Sequence, residues 1–281
     1  MTVSMITLNN GTSIPQLGFG VFQVPAEQTA DTVTTAFEVG YRHIDTAQMY
    51  GNEQGVGHAI ANAGIPRSEL FITSKLNNNN HTPDDVKRSF DETLSKLGLD
   101  QIDLFLIHWP LPTRYDGDYV STWKAMVDLV QQGGARSVGV SNFEPEHLDL
   151  IVAESGVVPV VNQIEVHPYF ANEAARAGTH KHGAAVEAWS PIAQGKVLDD
   201  ETIAKVAAAH GKTPSQVTLR WHIERGDIVF PKSMHRERMV ENFEIFDFAL
   251  TPEEMAAIDG LDRGGDGRQG PDPATFDYVP E

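Results

Sequence analysis

The chain has 281 residues, of which 41% are hydrophobic and none is cysteine, so a large core is expected and disulfide or thiolate chemistry is excluded. A formal net charge of −18 repels phosphate backbones, which excludes nucleic acids as expected partners. No apolar stretch approaches the ~18 residues of a membrane span, and the N-terminus lacks a signal-peptide pattern, so we expect a cytoplasmic protein with no membrane partner.

The first predicted element is a β-hairpin over residues 1–16. Its turn is indicated by the dipeptide Asn10-Gly11, because this pair readily adopts the positive φ that a tight hairpin requires. A hairpin has no place in a ring of parallel strands. We therefore expect it to close the N-terminal mouth of the barrel predicted from the rest of the chain.

After the hairpin, short apolar runs alternate with segments of helical periodicity. The predicted strands span residues 17–22, 39–44, 70–74, 102–107, 137–140, 158–162, 184–188 and 227–231. The predicted helices span residues 25–40, 52–63, 83–97, 119–132, 144–155, 172–181, 200–210, 214–225, 236–242 and 252–259. Eight strands followed by helices predict an α/β fold, a (β/α)8 TIM barrel, with extra helices near the C-terminus. We expect one domain over residues 1–281, ending in a Gly/Pro-rich tail at 263–281.

Three of these strands end in reactive side chains. Asp45 follows the run 39–44, with Tyr50 five residues further on, while Lys75 follows 70–74 and His108 follows 102–107. In barrels of this kind, the chemistry gathers at the carboxyl ends of the strands, where the loops converge on one face. We therefore expect these four residues to form a site.

The four side chains together suit the reduction of a carbonyl group. A tyrosine is a poor acid at neutral pH, with a free pKa of about 10, but a neighbouring ammonium such as Lys75 favours the phenolate. A carboxylate such as Asp45 keeps that ammonium charged, and His108 can donate a hydrogen bond to a carbonyl oxygen. The set can protonate a forming alkoxide. It cannot supply a hydride, so a cofactor must.

Over nearly its whole length the sequence resembles the aldo-keto reductases. The matching segments are GYRHIDTAQMYGNE (40–53), ITSK (72–75), DLFLIHWP (103–110), SVGVSNF (137–143), VNQIEVHP (161–168), VFPKS (229–233) and ENF (241–243). Within the family it is most similar to the bacterial branch that includes the 2,5-diketo-D-gluconate reductases, as the segments QLGFGVF (16–22) and GNEQGVG (51–57) indicate.

The resemblance implies that Tyr50 is the general acid, that Lys75 and Asp45 tune it, and that His108 orients the substrate. It also implies NADPH bound in an extended form without a Rossmann domain, and no Gly-x-Gly-x-x-Gly opens a helix here. The family positions around the nicotinamide fall on Ser141, Asn142, Gln163, Trp189 and Ser190, with Trp189 as the stacking ring. The positions for the 2′-phosphate and adenine fall on Lys232, Ser233, His235, Arg238, Glu241 and Asn242.

The residues themselves also favour a phosphate site at the last strand. The densest basic group in this acidic chain consists of Lys232, Ser233, His235, Arg236 and Arg238, where the strand 227–231 ends and a helix begins. Barrels often bind phosphate at this place. The cluster therefore indicates NADPH rather than NADH. Within it, His235 occupies a position where some close relatives carry arginine.

The substrate pocket is predicted to be lined by Phe22, Asn77 and Trp109. Some family members carry tryptophan at the position of Asn77, so this pocket favours smaller or more polar carbonyls. Trp123 and Trp221 lie within helical segments and are predicted to be core. The tail 263–281 either folds over the pocket or is disordered.

Alternatives remain at three points. A second functional class is an NADP(H)-binding module that senses redox state with negligible turnover. Glu165 and Glu187, near strand ends, permit a glycosidase with paired carboxylates, but alternation could point either one away from the site. The His180-Lys181-His182 stretch has metal-like spacing without a visible partner set, so no metal site is expected. The family makes a monomer the expected state.

Overall fold

The computed structural model describes residues 2–280, which form a barrel of parallel strands surrounded by helices. A separate antiparallel hairpin consists of β1 (Met5–Thr7) and β2 (Ser13–Pro15). The barrel strands are β3 (Phe19–Gly20), β4 (His43–Asp45), β5 (Phe71–Leu76), β6 (Ile102–Ile107), β7 (Ala135–Ser141), β8 (Val161–Glu165), β9 (Ala185–Trp189) and β10 (Ile228–Val229). The helices are α1 (Ala26–Val39), α2 (Glu53–Asn62), α3 (Pro83–Leu97), α4 (Tyr119–Gln131), α5 (Pro145–Ser155), α6 (Glu173–Lys181), α7 (Glu201–His210), α8 (Pro214–Glu224), α9 (Arg236–Phe243) and α10 (Pro252–Asp259).

The strand ring closes between its first and last members. Each barrel strand from β3 to β9 pairs in parallel with the next strand in the chain. The gap between β10 and β3 is bridged where Leu17 lies beside Val229, and the Gly18 N–H donates to the Val229 carbonyl at 2.7 Å. The predicted (β/α)8 barrel is therefore confirmed.

The hairpin closes the N-terminal end of the ring, as predicted. Leu8 and Ile14 are buried in an apolar cluster with side chains from the barrel interior, such as Leu104. A second contact fixes the hairpin at the start of β7, where the Asn10 amide donates to Ser137 Oγ at 2.9 Å. The hydrophobic effect thus fills this mouth with side chains and leaves the other mouth for ligands.

The helices pack on the outside of the ring through their apolar faces. Trp123 of α4 and Trp221 of α8 are completely buried, which confirms their predicted place in the core. The helix α3 begins where its side chains predict, because the Thr82 hydroxyl accepts from the Asp85 N–H at 3.3 Å as an N-cap. No helix within residues 2–280 combines the length and apolar character that crossing a bilayer would require.

Several predicted strand boundaries differ from the structure, and the two largest shifts are at strand starts. The strand predicted over 39–44 begins only at His43, because α1 continues to Val39 and Gly40 then turns the chain with a φ of 125°. The strand predicted over 158–162 is β8, which begins at Val161. Pro159 lacks the N–H that a ladder needs, so pairing starts after it. Both shifts move polar residues into the strand ends that form the site.

Candidate active site

The structure brings Asp45, Tyr50 and Lys75 into direct contact at the carboxyl ends of β4 and β5. The Lys75 ammonium lies 2.6 Å from Asp45 Oδ1 and 3.3 Å from the Tyr50 hydroxyl, and it also donates to the Thr46 carbonyl at 2.9 Å. Tyr50 reaches this place from a single 3-10 turn over Gln48–Tyr50 that follows β4. The short spacing between Asp45 and Tyr50 therefore corresponds to one tight turn at the rim of the barrel.

Lys75 is completely buried but remains charged. Burial disfavours the ammonium, yet the attraction of Asp45 and Tyr50 outweighs this penalty and raises the pKa of Lys75 above its ordinary value. For Asp45 the balance is reversed, since burial raises the pKa of its carboxyl more than the charge of Lys75 and the amide of Gln163 lower it. A cation is thus held beside the phenol of Tyr50 in a site of low polarity.

The Tyr50 hydroxyl is protonated at neutral pH. Burial raises the pKa of Tyr50 above its ordinary value, and the charge of Lys75 opposes this shift without overcoming it. The predicted effect of the ammonium on the phenol therefore has the expected sign, but burial is larger. Because only a protonated phenol can give up a proton, this state is the one required of an acid.

His108 lies against the Tyr50 ring, with 5.7 Å between the ring centroids. Its pKa is lowered well below its ordinary value, first by burial and then by the charge of Lys75, so the imidazole is neutral. Its backbone carbonyl accepts from the Asn142 amide at 2.9 Å, which ties the end of β6 to the end of β7. The four predicted catalytic residues therefore lie together.

The predicted nicotinamide residues follow one another along the ends of β7, β8 and β9. The Ser141 hydroxyl donates to the Gln163 carbonyl at 2.8 Å, and the Trp189 indole N–H donates to Asn142 Oδ1 at 2.9 Å. Ser190 follows Trp189 with a positive φ of 50°. This set is joined to the catalytic residues, because Gln163 Nε2 donates to Asp45 Oδ2 at 2.9 Å.

One residue of this network was not predicted as part of the site. Gln163 Nε2 also donates to Glu187 Oε2 at 2.9 Å, and Glu187 is completely buried. A signal for its orientation was present in the sequence. Glu187 and Trp189 are two residues apart in one strand, so both side chains lie on the same face. The position assigned to Trp189 therefore implies that Glu187 points inward too.

A pocket of about 380 Å³ lies where β10 leads into α9. It is lined by all six residues predicted for the phosphate and adenine, namely Lys232, Ser233, His235, Arg238, Glu241 and Asn242. Two of them are held by neighbouring hydroxyls, since Thr213 donates to Glu241 and Ser215 donates to Asn242, both at 2.7 Å. Arg236 of the same basic cluster turns away and pairs with Glu38 at 3.0 Å.

The C-terminal tail folds over the site face, which decides between the two alternatives for residues 263–280. The Phe276 ring packs on the Trp109 ring at 4.2 Å between centroids, and the Asn78 amide donates to the Tyr278 carbonyl at 2.8 Å. Phe22 is 55% exposed, and its ring centroid lies 5.0 Å from that of Tyr50. The neighbouring Asn77 N–H donates to Gln48 Oε1 at 2.8 Å. The three predicted pocket residues thus border the same face.

Glu165 and Glu187 have separate partners rather than forming a catalytic pair. The Glu165 carboxylate accepts from the N–H groups of Gln269 and Gly270 at 2.6 and 2.9 Å, so it anchors the tail. The surface stretch near His182 contacts Asp149 at 2.6 Å. Within residues 2–280, no group of three or more His, Asp or Glu side chains is arranged to hold a metal ion.

Comparison with known proteins identifies a single family. The model of the aldo/keto reductase family matches residues 16–263. The chain is 50% identical to an aldo-keto reductase of Mycolicibacterium smegmatis, over 98% of each protein, and 48% identical to methylglyoxal reductase DkgA of Yersinia pestis, over 97% of each. A solved structure of a Gox0644 mutant in complex with NADPH is 44% identical, with a TM-score of 0.94 and coverage of 99% of this chain and 100% of that one.

Proposed function

The chain belongs to the aldo/keto reductase family and is an oxidoreductase, and we propose that it reduces small aldehydes and ketones to alcohols with NADPH, using Tyr50 as the general acid. The observation that supports this proposal is the contact of Lys75 with both Asp45 and Tyr50 beside the neutral imidazole of His108. A buried phenol hydrogen-bonded to an ammonium can lose its proton to an alkoxide without stranding an isolated negative charge.

The residues fit NADPH as the cofactor. Lys232, Ser233 and Arg238 offer two cations and a hydroxyl to a phosphate, and such charge-assisted hydrogen bonds are the strong ones. Trp189 offers a ring face, and Asn142 and Gln163 offer amides, at the catalytic end of the same mouth. When bound, NADPH supplies the hydride. The related Gox0644 mutant that was crystallised with NADPH supports the same choice.

Each of the four catalytic residues has a defined task in the proposed reaction. His108 donates a hydrogen bond that orients the carbonyl oxygen toward the Tyr50 hydroxyl. As the carbonyl carbon gains a hydride, the oxygen gains negative charge and takes the phenol proton, so that the C=O group becomes CH–OH. Lys75 stabilises the phenolate that remains, and Asp45 keeps Lys75 charged.

The substrates we propose are small, polar carbonyl compounds, including dicarbonyls. A methylglyoxal reductase at 48% identity supports this class. The loop after β5 agrees with this class, because Asn77 is polar and partly exposed. The next residue, Asn78, is completely buried, and its carbonyl accepts from the Tyr115 hydroxyl at 2.7 Å. A polar wall compensates polar groups on a substrate better than an aromatic wall would.

Replacement of Tyr50 by phenylalanine tests the acid assignment. We expect Tyr50→Phe to lower the rate of NADPH-dependent carbonyl reduction by at least about 10²-fold, since general acids contribute about 10²–10⁴-fold. NADPH affinity, followed by fluorescence quenching, should stay within about twofold, because the phenol hydroxyl is assigned to the substrate. Tyr169→Phe is the matched control, since that hydroxyl bonds to Asp200 instead.

Two outcomes would overturn this proposal. Unchanged turnover in Tyr50→Phe would refute the role of the phenol. Tight NADPH binding by the wild type with no NADPH consumption across a panel of aldehydes, ketones and dicarbonyls would indicate the redox-sensing alternative.

The phosphate assignment has its own test. We expect Lys232→Ala and Arg238→Ala each to weaken NADPH binding by roughly 10- to 100-fold, the effect of losing one hydrogen bond between charged groups, while NADH binding changes far less. Arg236→Ala is the control, because Arg236 belongs to the same basic cluster but pairs with Glu38. Equal losses for both cofactors would show that these residues do not recognise the 2′-phosphate.

A further inference from the structure

Glu187 is a buried acid on the inner face of the barrel for which the catalytic scheme above has no use. Its side chain is completely buried, and its Oε2 accepts a hydrogen bond from Gln163 at 2.9 Å. Its Oε1 has no hydrogen-bond partner anywhere in residues 2–280. A buried carboxylate normally has several donors, so this environment suits a neutral carboxylic acid.

The charges around Glu187 agree with a neutral acid. Asp45 faces it from β4 and Lys75 faces it from β5, while its strand neighbours contribute the amide of Gln163 and the apolar side chain of Ile228. The single cation of this group, Lys75, already contacts Asp45. Burial, followed by the negative charge of Asp45, raises the pKa of Glu187 to about 8.

We propose that Glu187 is a positioning residue: as a neutral acid it fixes the amide of Gln163, and when it ionises at alkaline pH it reduces the acidity of Tyr50. This inference rests on the proposed carbonyl reductase function. In addition, it assigns a role in that function to the Glu187 carboxyl, a titrating group that does not contact the substrate.

The positioning effect follows from the hydrogen bonds of one amide group. Gln163 Nε2 donates to Asp45 Oδ2 and to Glu187 Oε2, both at 2.9 Å, so both of its hydrogens are engaged. The opposite amide orientation would direct Gln163 Oε1 at the carboxyl of Asp45. Gln163 is therefore fixed with Oε1 as the group that it presents to a bound carboxamide.

The electrostatic effect follows from the same contacts. Ionised Glu187 adds a second negative charge, besides that of Asp45, to this network of hydrogen bonds. The network leads from Glu187 through Gln163 and Asp45 to Lys75 and Tyr50. A nearby negative charge disfavours the phenolate and raises the pKa of Tyr50 further. The phenol is then a weaker acid, so carbonyl reduction should fall as the pH rises through the pKa of Glu187 near 8.

The first test compares pH profiles of wild type and Glu187→Gln. Glutamine keeps an acceptor for Gln163 but cannot ionise, so we expect carbonyl reduction at about pH 7 to stay within about threefold of wild type. From about pH 7 to about pH 9.5, kcat/KM of the wild type should fall several-fold, and that of Glu187→Gln by less than about twofold. Glu165→Gln, which alters a buried acid bonded to the tail, should keep the falling alkaline limb. Superimposable profiles for wild type and Glu187→Gln would overturn the electrostatic part of the proposal.

A second variant tests the positioning part. Glu187→Leu removes the acceptor and frees one hydrogen of the Gln163 amide, so we expect the Kd and KM for NADPH to rise about 5- to 20-fold, as for the loss of one neutral hydrogen bond. The kcat should change less than KM, because Tyr50, Lys75 and Asp45 stay in contact. A loss of kcat without a change in KM would contradict a positioning role.

Infrared difference spectra distinguish failure of this inference from failure of the proposed function. The wild type should show a protonated carboxyl band that titrates with a midpoint near pH 8, and Glu187→Gln should lack that band. Titration together with weaker NADPH binding by Glu187→Leu, but no carbonyl reduction by the wild type, would reject the reductase and keep Glu187 as a positioning residue. Carbonyl reduction by a wild type that lacks the titrating band would reject the role of Glu187 but leave the reductase function standing.

Discussion

Two buried ion pairs, one inside the strand ring and one outside it, differ in how their charges are balanced. Asp45 and Lys75 meet inside the barrel mouth, whereas Asp227, just before β10, pairs with Arg176 of α6 between the strands and the helices. Asp227 also contacts His222 of α8 at 2.9 Å. Burial raises the pKa of Asp227, but His222 and Arg176 outweigh it and the net pKa is lowered, while the pKa of Asp45 is raised.

The difference separates a structural pair from a functional one. Both oxygens of Asp227 contact cationic or imidazole groups, so its charge is more stable in the folded protein than in water. Asp45 divides its contacts between Lys75 and the uncharged amide of Gln163, and burial dominates. The inner pair therefore retains an electrostatic penalty in the folded protein, as is common where a site is arranged for chemistry rather than for stability.

The largest effect is expected from Asp227→Asn. Removing this carboxylate leaves the buried Arg176 with only the exposed Glu173, at 3.7 Å, as a counter-charge. Breaking a buried pair typically costs about 3–5 kcal/mol. We expect the free energy of unfolding, measured by urea denaturation, to fall by that amount while turnover of the folded protein is unchanged. A loss below about 1 kcal/mol would remove the distinction between the two pairs.

For the inner pair, Asp45→Asn should affect activity strongly and stability less. Carbonyl reduction should fall by about 10²-fold, because Lys75 loses the charge that keeps it protonated beside Tyr50. The free energy of unfolding should fall less than in Asp227→Asn, since burial already disfavours the charged form of Asp45. Parallel rate measurements and urea denaturation test both statements. A stability loss as large as that of Asp227→Asn would contradict them.

The pH dependence of stability should sharpen the contrast, because the two shifts have opposite signs. The pKa of Asp227 lies below its ordinary value of 3.8, so its stabilisation is present above pH 3.8 and is lost as the pH falls toward the lowered pKa. The pKa of Asp45 lies above 3.8, so its contribution is present below pH 3.8 and is lost as the pH rises through the raised pKa. With rising pH, wild type should therefore gain stability relative to Asp227→Asn and lose it relative to Asp45→Asn. Urea denaturation at several pH values measures both differences, and changes of the same sign would refute the assignment.

The smallest effect is expected from Gly270→Ala, which tests how closely the tail packs on the site beside Trp189. A Cβ here would lie 2.4 Å from the Trp189 ring and 3.1 Å from Glu165 Oε2, so the tail must shift. We expect KM for the carbonyl substrate to change about two- to fivefold, with less than about 1 kcal/mol lost in stability. Gly265→Ala is the control, since a Cβ at Gly265 would have no atom within 4 Å. Identical kinetics for both variants would mean that the tail does not border the pocket.

Much of this architecture could be predicted from local patterns. The alternation of apolar runs and helical periods predicts the barrel, and reactive residues at the strand ends predict that Asp45, Tyr50 and Lys75 converge. The hairpin at Asn10-Gly11 was placed by the same reasoning. These features depend on neighbours in the chain or on the repeated unit of strand and helix, so a single sequence contains them.

Other features depend on contacts between distant segments and were not predicted. The direction of the Tyr50 pKa shift depends on how deeply the phenol is buried, and the identity of its neighbours shows only the sign of their contribution. The role of Glu165 requires the N–H groups of Gln269 and Gly270, more than a hundred residues later in the chain. The inward orientation of Glu187 is a different case, because it follows from Trp189 two residues later in the same strand, a local signal that the prediction did not use.

The hairpin that fills one end of the ring has a consequence for the access of cofactor and substrate. With Leu8 and Ile14 filling that end, ligands can reach the barrel only at the carboxyl ends of the strands, where the catalytic residues and the pocket at the start of α9 both lie. Substrate and cofactor must therefore approach the molecule from one face, so a substitution at the rim of that face can change the access of both.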